Sequence, residues 1–287
     1  MPSQNIQWFP GHMAKTRRMI TDNLKNVDAI IELIDARIPL SSRNPEISKL
    51  TANKPRIILL NKASLADPAL TAKWIAELSS DNTVCIETDC ITGAGLNKIA
   101  PAIKKLCQAK VDRYEDKGMS GRMLKAMVLG IPNVGKSSLI NKICGNKKAK
   151  VENRPGVTVD KQWVPTDIGI LLLDMPGILW PKFEDQIIGE NLAITGAIKD
   201  DILDIETIAC ALCARLRALY PELLSTRYKL GDALDNEDLS DYALFCLIGR
   251  KRGFLVSGGE INTERTANML LDEFRAAKIG RITLDKI

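Results

Sequence analysis

The nine residues GIPNVGKSS, Gly130 to Ser138, constrain this chain more than any other stretch. They fill every fixed position of G-x-x-x-x-G-K-[ST], and they stand where that pattern has physical meaning. The apolar run RMLKAMVLG (122–130) before them reads as a strand, and SSLINKIC (137–144) reads as a helix. Glycines at such a junction let backbone N–H groups curl around an anion at the positive end of a helix. Strand-like runs at DAIIELID (28–35), RIILLN (56–61) and TVCIET (83–88), with two more near 159–164 and 168–174, complete the pattern. Helical stretches follow Asn44, cover 68–79 and run from about Leu96 to Lys110. Such alternation predicts an α/β fold, a mostly parallel sheet with helices on both faces and ligands beyond the carboxyl ends of its strands.

Beyond Gln186 the strand signal fades. Helical periodicity dominates in IGENLAITGAIKDD, ETIACALCARLRALYPELL, DYALFCLIGRKRG and INTERTANMLLDEFRAAKIG. A division into 1–185, an α/β domain with an N-terminal extension, and 186–287, a small all-α domain, is expected. The segment before Asp28 reads as a flexible arm.

Charge divides along the same line. From Gln186 onward there are 13 Lys and Arg against 16 Asp and Glu; before it there are 27 against 19. The excess lies in MAKTRR (with Arg17 and Arg18), in IKKLCQAKVDR and in NKKAKVENR (with Lys147 and Lys148). Arg250, Lys251 and Arg252 add one basic cluster in the helical part. Such runs are usually solvated surface, yet their concentration favours a polyanionic partner such as RNA. No apolar run approaches the ~20 residues that span a bilayer. The start, MPSQNIQWFPGHMAKTRR, lacks the apolar core of a secretory signal, so no membrane and a cytoplasmic location are expected. The seven cysteines are scattered through apolar segments, and the one CxxC, Cys210 and Cys213, lies in a helical pattern without a second ligand pair. Buried thiols are the expected reading, not a zinc site.

The Gly-rich loop needs partners. N–H groups of Asn133, Val134, Gly135, Lys136, Ser137 and Ser138 would hold phosphates, with Lys136 adding charge and the Ser137 hydroxyl a ligand for magnesium. LLLDMPG ends another apolar strand some forty residues on. There Asp174 can hold magnesium and the Gly177 N–H can meet a γ-phosphate. Between them lies NRPGVT, in which Thr158 can close over the metal. These parts do not choose a base. NKAS at the end of RIILLN is the candidate for that, with Asn61 at the base edge, Lys62 against the ring and Ser64 in the position that reads guanine. A second base loop, ETDCITGAG (87–95), offers backbone N–H groups at Thr88, Asp89 and Cys90. The base motif precedes the phosphate loop, as in a GTPase whose chain order is cyclically permuted. Loops meeting at one sheet edge make that order immaterial.

With these motifs in place the chain resembles the ribosome-biogenesis GTPase A family (YlqF/RbgA type), circularly permuted P-loop GTPases. WFPGHMAK, DARIP (35–39), NKAS, GIPNVGKSS, RPGVT, DMPG, TGAIKDD, GGEI and GRIT carry the resemblance nearly end to end. It implies a factor that binds and hydrolyses GTP to GDP, helps mature the large ribosomal subunit and contacts its rRNA through the helical part; a monomer is expected. It also offers His12 as a catalytic residue, because the position after D-x-x-G is Ile178 and an apolar side chain cannot orient water. Asn133 resembles the asparagine of potassium-stimulated GTPases, although asparagine is equally a good turn former. One departure bears on substrate. The family pattern has Asp at position 64, and the Ser64 hydroxyl cannot replace a carboxylate's two acceptors, so Ser64→Asp is expected to tighten GDP. Asp67, nearby, reads as a helix N-cap followed by Pro68. The alternatives are a broad-specificity P-loop NTPase, suggested by Ser64, or an RNA-binding scaffold with incidental turnover, suggested by the missing glutamine.

Overall fold

The computed structural model describes residues 13–119, 121–145, 163–177, 179, 185–236 and 238–287. Six strands form one sheet: β1 (Ala29–Asp35), β2 (Arg56–Asn61), β3 (Thr83–Glu87), β4 (Leu124–Gly130), β5 (Trp163–Pro165) and β6 (Ile170–Asp174). Their order is β3-β2-β1-β4-β6-β5, and every pairing is parallel except that of the edge strand β5. β1 and β2 are buried at every residue, which is why they read as unbroken apolar runs instead of alternating ones. The charges they do carry are paired: Arg56 at the start of β2 meets Glu32 of β1 at 2.8 Å.

Helices cover both faces, as expected. On one face lie α1 (Met13–Leu24), α2 (Pro45–Leu50) and α3 (Pro68–Leu78), through Ile20, Ile47 and Trp74. On the other lie α4 (Ile99–Leu106) and α6 (Lys136–Cys144), through Ile99, Ile103, Leu139 and Ile143. Between these two, α5 (Gln108–Asp116) follows a break at Cys107, where one continuous helix was expected. Asp67 caps α3: its Oδ1 accepts from the Ala69 and Leu70 N–H groups at 2.8 and 3.1 Å, ahead of Pro68 at the first helical position.

The arm expected to be flexible is a helix from Met13 on. Its buried residues Thr16, Ile20 and Asn23 recur at helical spacing, and Ile20 packs against Ile30, Met127 and Leu129 of the sheet.

The C-terminal third is helical: α7 (Gln186–Ile194), α8 (Ile205–Leu219), α9 (Pro221–Tyr228), α10 (Asp241–Lys251) and α11 (Thr263–Arg275). α8 is central, packed against the other four. Its core, with Leu212, Leu216, Phe245 and Leu270, is continuous with the sheet face that carries Leu33 and Leu59.

Polar bonds join the two parts where β1 ends. Arg37, 2% exposed, grips Asp35 with Nε–Oδ1 at 2.9 Å and Nη2–Oδ2 at 2.7 Å, and donates to the Thr195 carbonyl beyond α7. Burial pushes the Asp35 carboxyl up, but the Arg37 and Lys62 charges and the Arg37 hydrogen bonds prevail and hold it well below 3.8. Removing Arg37 strips the buried Asp35 of its guanidinium partner and leaves only Lys62 beside it, so Arg37→Ala should cost about 3 kcal/mol in urea unfolding. In the intact protein the Asp35 share of stability is full above its unfolded pKa. It is lost as the pH falls through the depressed folded value. An Arg37→Ala melting temperature equal to that of the parent would remove the pair from the fold's support.

Candidate nucleotide-binding site

All parallel strands end at one edge, and the four loops singled out in the sequence leave that edge side by side. The phosphate loop follows β4 and DMPG follows its neighbour β6; NKAS follows β2, and the second base loop follows the adjacent β3. Parallel pairing of β1 with both β2 and β4 closes the distance between base and phosphate loops.

In the phosphate loop, Gly135 has φ +108°, and a Cβ there would collide with the Asn61 amide. Only glycine lets NKAS approach so closely. Lys136 is buried, with Nζ donating to the carbonyls of Ile131 at 2.7 Å and Gly130 at 3.1 Å. Burial drives its pKa down, and the Asp174 carboxylate only partly restores it, to about 8. Ser137 and Ser138 are exposed in the first turn of α6, Asp174 is exposed at the end of β6 and Gly177 is exposed just beyond it. A Cβ on Gly177 would lie 2.9 Å from both Lys136 Nζ and the Pro132 nitrogen, so DMPG is in contact with the phosphate loop. His12, Thr158 and Ile178 lie outside the described residues.

The base motif is engaged in bracing. Asn61 Nδ2 donates to the Val134 carbonyl at 2.7 Å, and its Oδ1 accepts from the Cys90 N–H at 2.9 Å. One buried amide therefore ties the second base loop to the phosphate loop. Lys62, at φ +60°, reaches the Asn133 carbonyl at 3.0 Å and Asp35 Oδ2 at 3.0 Å. Asn133, itself at φ +56°, donates through Nδ2 to the Gly196 carbonyl at 2.9 Å. Ser64 is exposed and donates to Asp89 Oδ2, while Asp89 Oδ1 accepts from the Ile91 and Thr92 N–H groups. Thr88 is buried behind them.

Sequence reasoning missed the support from the far end of the chain. Arg281 donates to the carbonyls of Ala63 and Ala66, both at 2.8 Å, and the Ile282 N–H to Leu65 at 3.1 Å. Asp285 accepts from the Ser41 N–H and hydroxyl at 2.7 and 2.6 Å and from Asn191 Nδ2 at 2.9 Å. The GRIT block (280–283) thus backs NKAS, and TGAIKDD touches the phosphate loop through Gly196. Nothing local in either segment signals this.

Comparison with known proteins agrees with this geometry. Residues 125–213 match a family model described as 50S ribosome-binding GTPase. Ribosome biogenesis GTPase A of Bacillus licheniformis is 47% identical over 281 residues, 98% of each chain. The chain belongs to the ribosome biogenesis GTPase A family. Mitochondrial ribosome-associated GTPase 1 of Mus musculus is 33% identical, over 98% of this chain and 90% of its own. A GDP-bound structure of TM YlqF matches with a TM-score of 0.62 at 25% identity, covering 94% of this chain and 99% of that one.

In this member of the ribosome biogenesis GTPase A family, a phosphate held by Lys136 would make nucleotide binding depend on pH. Without nucleotide Lys136 is charged below about 8. Bound phosphate favours the charged form, so binding above that pH takes up a proton and weakens as pH rises, approaching tenfold per unit. GDP affinity should be flat from pH 6.5 to 7.5 and fall beyond 8, with proton uptake visible by calorimetry in buffers of different ionisation enthalpy. Lys136→Met should abolish the uptake; uptake that persists would assign it to another group.

Proposed function

We propose that this protein hydrolyses GTP to GDP and phosphate as an assembly factor of the large ribosomal subunit, bound to pre-ribosomal particles with GTP and released after hydrolysis. The observation that carries the reading is the meeting of phosphate loop, DMPG and NKAS at one sheet edge in a chain of this family. The N–H groups of 133–138 and Lys136 would hold the β and γ phosphates, and the Gly177 N–H the γ-phosphate. Ser137 and Asp174 are exposed oxygen donors of the kind magnesium takes, and with Thr158 they would hold it. Bound magnesium would offset the phosphate charge. Asn133 donates through Nδ2 to the Gly196 carbonyl, and its Oδ1 would be the oxygen that holds potassium.

Residues 1–185 act as the catalytic unit and 186–287 as the unit that meets rRNA, with the basic excess of the former and Arg250 to Arg252 as further contacts. The protein works as a monomer in the cytoplasm; no helix among the described residues is long and apolar enough to cross a membrane. Because Asn133 donates to the Gly196 carbonyl, a change in the phosphate loop would reach the helical unit through one hydrogen bond.

Ser64 favours a second reading, a broad-specificity NTPase. GTP should compete with labelled GDP far better than ATP does. Turnover should rise on adding large subunits, and fall when sodium replaces potassium at constant ionic strength. Equal competition by ATP would support the second reading; turnover indifferent to subunits would leave a scaffold.

His12 would position the attacking water once the particle is bound, since Ile178 has no polar atom. A positioned group of this kind contributes ~10²–10⁴-fold. His12→Ala should lower subunit-stimulated turnover by that order with GTP and GDP affinities nearly unchanged. Lost nucleotide affinity would point to packing instead.

A further inference from the structure

Guanine presents two adjacent donors, N1–H and the N2 amino group, where adenine presents an N1 acceptor. A site that selects guanine therefore needs two acceptors side by side, preferably with negative charge. Ser64 alone supplies one neutral oxygen. What stands against it is decided by the sheet. Thr88 N donates to Leu60 O at 2.8 Å and Ala63 N to Thr88 O at 3.1 Å, carrying the β2–β3 pairing past both strand ends. That register sets Ser64 opposite Asp89, and the Ser64 hydroxyl donates to Asp89 Oδ2.

We propose that the Ser64–Asp89 pair together reads guanine: Ser64 Oγ and Asp89 Oδ2 accept from N1–H and the N2 amino group, with the charge residing on Asp89. The inference rests on the reading of this site as a GTP site.

The lone-pair count supports it. A carboxylate offers about four acceptor positions. Asp89 Oδ1 takes the Ile91 and Thr92 N–H groups at 2.9 and 3.0 Å, and Oδ2 takes the Ser64 proton, which leaves Oδ2 one position. By giving its proton to Asp89, Ser64 turns its own oxygen into an acceptor and polarises it. Burial pushes the Asp89 carboxyl up, but the Ser64 hydroxyl and the two amides outweigh it and hold it below 3.8, ionised at neutral pH. Ser64 and Asp89 line one cavity with Glu87, Thr88, Lys98 and Arg281. Thr88 Oγ1, 1% exposed as a residue, has no hydrogen-bond partner among the described residues. Arg281, held to the carbonyls of Ala63 and Ala66, keeps the Ser64 side of the pair in place.

The arrangement changes the expectation for Ser64→Asp. Alone, it would press two carboxylates together and should not tighten GDP.

The test uses the full chain and affinities for GDP, ADP and xanthosine diphosphate, which carries a C2 carbonyl in place of the amino group. In Asp89→Asn the introduced amide donates to Ser64 Oγ and turns the hydroxyl proton towards the base. GDP should weaken by about tenfold or more and xanthosine diphosphate strengthen, a gain that a folding defect cannot produce. Asp89→Ser should lose guanine preference, and the double variant Ser64→Asp with Asp89→Ser should regain it by moving the charge across the pair. An unchanged GDP to xanthosine diphosphate ratio in Asp89→Asn, or a shift on Glu87→Gln instead, would overturn the assignment. If the parent protein binds ADP as tightly as GDP, the GTP reading itself fails, a different outcome from loss of this pair.

Discussion

The Asp35 carboxylate, at the end of the central strand β1, is the contact on which the site's arrangement depends. It holds Arg37 through three hydrogen bonds, one from the backbone N–H and two from the guanidinium, and Lys62 through a further contact at 3.0 Å. Through Arg37 it reaches Thr195 of the helical part, and through Lys62 it reaches the Asn133 carbonyl of the phosphate loop. The cost of burying these charges is met only because each has its partner in place. One anion thus registers the base loop, the phosphate loop and the helical segment against a single strand end, where elastic packing alone would leave each loop its own freedom.

Around that centre the C-terminal segment works as a strap. Arg281 and Ile282 bond the carbonyls of the base loop, Leu284 N donates to Arg37 O at 2.8 Å, and Asp285 bonds Ser41 and Asn191. A permuted chain places its base motif near its beginning and its helical part at its end, and the strap brings them back together. Since the loops touch the helical part by few, directional bonds, a change of phosphate occupancy would have a short physical route outward under the proposed function. That route starts at Asn133 and Gly196.

Much of the fold was legible because central parallel strands are apolar at every position and their loops carry glycine, proline and caps. RIILLN became β2 with the same limits, and Asp67 became the cap it resembled. The long helix from Leu96 was legible in place but not in its break at Cys107. α1 was overlooked because its basic surface residues mask a buried stripe of Thr16, Ile20 and Asn23. The phosphate loop, DMPG and NKAS each stood at the end of an apolar run, and the structure brings the three loops to one sheet edge.

What the sequence determined by itself was local: which segments pair as buried strands, which turns present N–H groups to an anion, and that position 64 bears no carboxylate. What only the tertiary structure decided was which distant residues complete each turn. Asp89 opposite Ser64, Lys62 on Asp35, Gly196 on Asn133 and Arg281 behind NKAS are pairs separated by up to 218 residues. The physical reason is that a hydrogen bond between such partners leaves no periodicity or composition in either segment. Its geometry exists only after the sheet has set the register and the helical core has closed on the sheet.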